Sequence, residues 1–309
     1  MRGPRPDMKV SLNLIGAHTL FDGRFAPILD IAKLADRKGI DAVSNSDHVA
    51  LSRAAFEEEQ YNGMKFPFER DFAWYEPIAF LSAVAAVTEH VQLSTNVFIA
   101  PMRPAILLAK QLATLDVISN GRVGIGFGAG WQKQEFDAAN IPFEGRFGYM
   151  EEQIEVCRAL WGNMSASYHG KHVNFDDLYS HPLPVQGAKL PIWLGLGPTD
   201  RNIERIARLA DGWMAPPYEV PVIADGVRKI KAAMPKYGRD PSTLPVRALL
   251  MPVFQPDGRP DIDATFAKAD DLVAAGATEL ETTLRGLCHT ADDIEPVMDR
   301  LVTLKGSFT

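Results

Sequence analysis

Cysteine is nearly absent from this 309-residue chain: Cys157 and Cys288 stand alone, with no CxxC motif or Cys/His cluster around them. That excludes a disulfide framework and a structural zinc site, and it fits a reducing cytoplasm. A basic excess is lacking too. The formal net charge is -7, which argues against nucleic acid or an acidic membrane as partner and favours a small-molecule substrate. No apolar run approaches the ~18 residues that a membrane span needs. The opening MRGPRPDMKVSLNLIG interrupts a short apolar run with Asn13 and shows no small-residue cleavage pattern, so it does not read as a signal peptide. Residues 1–7 are expected to form a disordered leader. Catalytic signatures are sparse as well: there is no HxH on the first strand, no His and carboxylate cluster at metal spacing, and no GxSxG elbow. Metal-dependent and serine hydrolases both lose ground, and no metal is expected.

What the chain does have is a regular alternation of strand and helix patterns. Strands are predicted at 9–15, 41–44, 91–96, 122–128, 191–194, 212–215, 246–254 and 278–282, and helices at 25–38, 77–88, 132–138, 147–161, 199–210, 220–234, 263–275 and 292–304. A further helix opens at Pro104 and carries Leu108, Leu112, Leu115 and Ile118 as a core stripe. Eight β-then-α units with no linker predict one closed (β/α)8 TIM barrel over residues 8–309, with insertions after strands 2 and 4. A doubly wound sheet is the runner-up, disfavoured because no GxGxxG follows the first strand. The first insertion, 49–76, carries Tyr61, Phe66, Phe68, Phe72, Trp74 and Tyr75 and reads as a packed aromatic lid with a helical turn near 53–59. The second, 139–190, is built on the helix 147–161, whose Met150, Ile154, Cys157 and Leu160 or Trp161 share a face; a loop or small hairpin follows at 169–184.

In a barrel the C-terminal strand ends share one pocket. They bring together Asp47 and His48, Thr95 and Asn96, the bare run Gly128, Ala129, Gly130 and Trp131, and Gly195, Leu196, Gly197 and Thr199, with Arg247 or Met251 along strand 7. His48 is the residue suited to proton transfer or to bonding a cofactor ring, with Asp47 its chain neighbour; the alternative is that Asp47 caps the next segment and His48 lines a polar corner. The loop 195–199 meets a helix N-terminus and favours a phosphate, with Arg146 and Arg201 as partners, or is a tight turn in which Thr199 is the N-cap. The small residues ending strand 4 leave room for something flat. Such a pocket, poor in nucleophiles, suits a cofactor that brings its own chemistry.

Four ordered blocks carry a family likeness: SDHV at 46–49, LSTNVFIAPMRPAILLAKQLATLDVISNGRVGIGFGAGW at 93–131, PIWLGLG at 191–197 and RIARLADGWM at 205–214. Together the chain resembles the luciferase-like monooxygenase superfamily, and within it the branch of probable oxidoreductases that use the deazaflavin coenzyme F-420. The resemblance implies a TIM barrel binding coenzyme F-420 or FMN at its C-terminal face. The ring would lean on a bulge after strand 3 with a non-prolyl cis peptide at Asn96-Val97, His48 would match the family histidine, and 195–199 the phosphate loop. Sugar-phosphate dehydrogenases of the family place a glutamate just after strand 4, where this chain has Trp131. The implied activity is hydride transfer between coenzyme F-420 and a small organic substrate. The alternatives are an FMN-dependent monooxygenase served by a flavin reductase, and a non-catalytic flavin-binding protein. Family habit implies a homodimer.

Overall fold

The computed structural model describes residues 8–59, 61 and 65–308; the expected leader at 1–7 lies outside them. Eight parallel strands form the frame: β1 (Lys9–Asn13), β2 (Ala42–Asn45), β3 (Gln92–Thr95), β4 (Val123–Gly128), β5 (Ile192–Leu194), β6 (Gly212–Ala215), β7 (Val246–Leu249) and β8 (Glu279–Thr283). They pair in sequence order, β1 pairs with β8 from Lys9↔Glu279 to Asn13↔Thr283, and Leu93↔Val123 joins β3 to β4. The sheet therefore closes on itself and has no edge. The predicted (β/α)8 barrel is the observed fold.

Helices α1 (Ala26–Lys38), α2 (Pro77–Ala85), α3 (Ala105–Ile118), α4 (Arg146–Gly162), α5 (Asp200–Leu209), α6 (Val220–Ala233), α7 (Ala269–Ala274) and α8 (Ile294–Gly306) surround it. Their apolar stripes face the strands: Ile28, Ile31, Ala32 and Ala35 of α1 are all buried, as are Met150, Ile154, Cys157 and Leu160 of α4. Between β2 and α2 lies the short helix Arg53–Glu57; between β4 and β5 lie the short helix Lys133–Ala138, α4 and an antiparallel hairpin of Ala166–His169 with Asn174–Leu178.

Three expectations are corrected. On α3 Leu108, Leu112 and Leu115 are buried, but Ile118 is 49% exposed. At 3.6 residues per turn it sits about 80° away from Leu108 and closes the helix, so it leaves the core face. The seventh strand stops at Leu249 instead of running to Phe254. Pro252 lacks the N–H that a parallel ladder needs, and Val253–Phe254 instead forms a small hairpin with Pro260–Asp261. The helix expected over 263–275 is two pieces, Ile262–Ala267 and α7.

The barrel interior is not purely apolar. Arg247 on β7 pairs with Glu279 on β8 at 2.8 Å and with Glu281 at 3.3 Å, and all three are almost fully buried. Breaking such a pair would leave a buried charge uncompensated.

Candidate active site

Strand β2 ends in the polar run Asn45, Ser46, Asp47 and His48, and the chain turns outward there. Asp47 and His48 part company immediately. Asp47 turns to the segment after β3, where Arg103 holds it with two nitrogens, one at 3.1 Å from Oδ1, and the Ile99 N–H donates to Oδ2 at 2.9 Å. Arg103 also reaches Glu76 at 3.2 Å and lies over the Phe98 ring. Burial pushes the Asp47 carboxyl above its ordinary pKa, against the pull of Arg103 and the Ile99 N–H. Every strong acceptor position of Asp47 is thus committed to the rim, and its contacts do not include His48.

His48 finds its carboxylate elsewhere. Nδ1 lies 3.1 Å from Glu135 Oε2, on the short helix after β4, while Oε1 accepts from the Val49 N–H at 2.5 Å and the Ala50 N–H at 3.1 Å. Burial alone would raise the pKa of Glu135; the His48 hydrogen bond and charge, with the Ala50 and Val49 N–H groups, outweigh it and hold the pKa below its ordinary value. Glu135 is therefore a buried carboxylate anion that only accepts. Gln132, one turn earlier, accepts from the Ser52 N–H at 2.6 Å and donates to the Ala50 carbonyl at 3.1 Å. The two side chains clamp the start of the segment that follows His48.

Aromatic rings enclose the imidazole. Trp74, Phe66 and Trp131 meet it edge-on at centroid distances of 4.8, 5.3 and 5.7 Å. Tyr61 adds a contact to Trp131, and burial raises its phenol pKa. Phe66, Phe68, Phe72 and Trp74 of the first insertion pack on one another with tilted or edge-on rings. Arg285, after β8, fastens it with two 2.9 Å bonds to Glu69 and covers the Phe68 and Phe72 rings.

A cis peptide joins Asn96 to Val97. The Asn96 carbonyl accepts from Ser46 Oγ at 2.8 Å, and Asn96 Nδ2 donates to Glu281 Oε2, while Ser44 Oγ donates to Glu281 Oε1 at 2.6 Å. Thr95 is buried and points inward, its hydroxyl donating to the Gly126 carbonyl at 2.8 Å. The room left by glycine at the end of β4 is used by the protein itself: a Cβ on Gly128 would strike one Val97 methyl, and a Cβ on Gly195 the other. Val97 therefore lies across the ends of β4 and β5 as an apolar ledge. Ala129 is buried beside it, and the Gly130 carbonyl accepts from Arg146 Nε at 3.0 Å.

At the end of β5 the Gly195 N–H donates to the Phe127 carbonyl at 2.9 Å and the Leu196 carbonyl accepts from the Trp213 indole at 3.0 Å. The Thr199 N–H donates to the Gly197 carbonyl at 2.8 Å, and Thr199 Oγ1 caps α5 by accepting from the Asn202 N–H. The loop is a tight turn with Thr199 as N-cap, and Tyr218 Oη stands next to Gly197. Arg146 stacks on Phe143 with its charge beside Gly130, not at this loop. Arg201 is exposed at the first turn of α5.

Sequence reasoning looked for an acid at position 131 and missed Glu135, four residues on in the short helix Lys133–Ala138. It also missed Arg103, Glu281 and His18, a buried imidazole set edge-on to Phe72 and Tyr75 whose pKa is lowered by burial and by Arg285. Both thiols are inert: burial pushes Cys288 up to about 12 and Cys157 higher still. Among the described residues no three His, Cys, Asp or Glu side chains converge as a metal site needs.

A closed parallel barrel with an imidazole–carboxylate pair, His48 and Glu135, at its C-terminal face belongs to the class of TIM-barrel enzymes. Residues 9–302 match the luciferase-like monooxygenases, and the chain belongs to that family. An uncharacterized protein of Mycobacterium bovis is 34% identical over 211 residues, 68% of this chain and 74% of the relative. The pyrimidine monooxygenase RutA of Allorhizobium ampelinum is 30% identical over 209 residues, 64% of this chain and 55% of its own length. The coenzyme F420-dependent tetrahydromethanopterin reductase of Methanopyrus kandleri superposes with a TM-score of 0.72 over 97% of this chain and 99% of its own, at 18% identity, a likeness of fold. The chain is an oxidoreductase of this family.

Proposed function

We propose that the enzyme moves hydride between the deazaflavin coenzyme F-420 and a small, planar or apolar organic substrate. The observation that carries this is the pairing of His48 with the buried anion Glu135 inside an aromatic enclosure. The side chains there handle a proton and exclude water, while neither thiol is available as a nucleophile. The residues fit a flat ring: Val97 makes an apolar ledge, Trp131 a wall, and Asn96 a polar edge, with Gly128, Ala129 and Gly130 as backbone around them and Asp47 fixing the rim through Arg103. The loop Gly195, Leu196, Gly197 and Thr199 would take the phosphate. When bound, the deazaflavin supplies the hydride-carrying ring carbon. His48 then holds or releases the substrate proton, Glu135 keeps the imidazole oriented, and the lid closed by Arg285 and Glu69 keeps water away.

A second reading, an FMN-dependent monooxygenase with a separate flavin reductase, is favoured by the 30% identity to a pyrimidine monooxygenase. The two differ in whether oxygen is consumed. Titrating the apo protein with coenzyme F-420 and with FMN, then following oxygen uptake with the reduced form of the binder, decides between them. F-420 binding without oxygen uptake supports the first reading; FMN binding with uptake replaces it. A cytoplasmic homodimer belongs to the same reading, supported by Ile106, Leu107, Val117 and Ile118 exposed along α3 and tested by sedimentation. No helix among the described residues is long and apolar enough to cross a membrane.

A further inference from the structure

Two groups at the rim have a hydrogen-bonding sense that their own chemistry leaves open. A neutral imidazole has one donor and one acceptor nitrogen, and a carboxamide has a donor end and an acceptor end. In both cases a buried glutamate stands behind the group. Glu135 already accepts from the Val49 and Ala50 N–H groups, and Glu281 already accepts from Ser44 Oγ and pairs with Arg247. Both carboxylates offer lone pairs and no hydrogens.

The group facing each one must therefore donate. At His48 the proton sits on Nδ1, which leaves Nε2 bare in the neutral ring. At Asn96 the amide nitrogen faces Glu281, which leaves Oδ1 over. Neither Nε2 of His48 nor Oδ1 of Asn96 has a hydrogen-bond partner among the described residues. The two come from the ends of the neighbouring strands β2 and β3.

We propose that Glu135 and Glu281 are positioning residues that fix the polarity of the site, so that it presents acceptors and selects a ligand group that donates, a hydroxyl or an N–H. The ether or N-alkyl counterpart of the same ligand would leave the acceptors unpaired, and such mismatches are discriminated strongly in enclosed sites. The proposal rests on the oxidoreductase reading only for calling that ligand a substrate; the polarity is a property of the protein alone.

Two measurements test it. In protein labelled with 15N-histidine, long-range proton–nitrogen correlation spectra at mildly alkaline pH read the tautomer of each ring without cofactor or turnover, and His48→Gln assigns the His48 signals. The expected pattern is Nδ1 protonated and Nε2 bare. In Glu135→Gln, whose amide can donate, the population moves toward the Nε2–H tautomer. Wild-type His48 with its proton on Nε2 overturns the proposal, as does a tautomer indifferent to Glu135→Gln; the first needs no variant. Phenol and anisole then serve as ligands that differ in the donor. About tenfold tighter binding of phenol, the worth of one hydrogen bond kept or lost, is expected, and its loss in Glu135→Gln. Equal binding to wild type overturns the selection. Absence of F-420 and FMN binding with the tautomer as expected would sink the cofactor reading and leave the polarity standing.

Discussion

Asp47 and Glu135 flank His48 in space, one as its chain neighbour and the other 87 residues away, and both are buried carboxylates. Asp47 faces a guanidinium and a backbone N–H, partners that cannot change protonation at working pH. Glu135 faces backbone N–H groups on one oxygen and a titratable ring on the other. The first arrangement can only hold the rim together. The second transmits its charge to a group able to exchange a proton, so neighbourhood along the chain is a poor guide to which acid serves the histidine.

Substitutions at the two acids break the comparison in opposite ways. Asp47→Ala strands Arg103 in the rim and is expected to cost ~3–5 kcal/mol of stability, read from urea unfolding. Glu135→Gln keeps shape and is expected to cost clearly less stability than Asp47→Ala, yet to lose activity on the order of 10²-fold, mostly in kcat, because the ring loses its anchor. If Glu135→Gln loses as much stability as Asp47→Ala and keeps its turnover, the division of roles between the two acids collapses.

Acid sharpens the contrast through sign. The folded pKa of Glu135 is lowered, so its contribution is present above the ordinary carboxylate range and is lost as pH falls through the folded value. That of Asp47 is raised, so its ionised form costs stability near neutrality and the cost vanishes as pH falls. Between neutral and acid pH the stability gap between wild type and Glu135→Gln should narrow, and the gap to Asp47→Asn should widen, measured as unfolding midpoints across the series. The smallest effect is expected at Lys133→Ala. Its pair with Asp137 lies on the same short helix as Glu135 but both partners are more than half exposed, and a change of ~0.5 kcal/mol or less is the usual worth of such a pair.

The barrel was legible because its signals are local: alternating apolar strands, helical stripes such as that of α1, and the glycine that ends it. The outer limits of that legibility are local too, since Pro252 and the angular drift of Ile118 follow from rules applied one element at a time. The candidate site was legible as a set of strand ends and no further. His48 could be found from its place after β2, but the partner that orients it sits on another unit of the barrel. Only closure of the sheet brings the helix after β4 against the end of β2. Glu281 is hidden for the same reason, from the last strand to the third.

Val97 has one more consequence. Its two methyl groups occupy the space that side chains on Gly128 and Gly195 would need, so three positions far apart in the sequence behave as one steric variable. Gly128→Ala alone should cost ~1–3 kcal/mol through overpacking, and Val97→Ala alone should open a small void. Combined, the added methyl fills the removed volume, and the double variant should be more stable than the sum of the singles predicts. Whoever reshapes this pocket can thus shift bulk from the third strand's end to the fourth, moving the ledge sideways without emptying it.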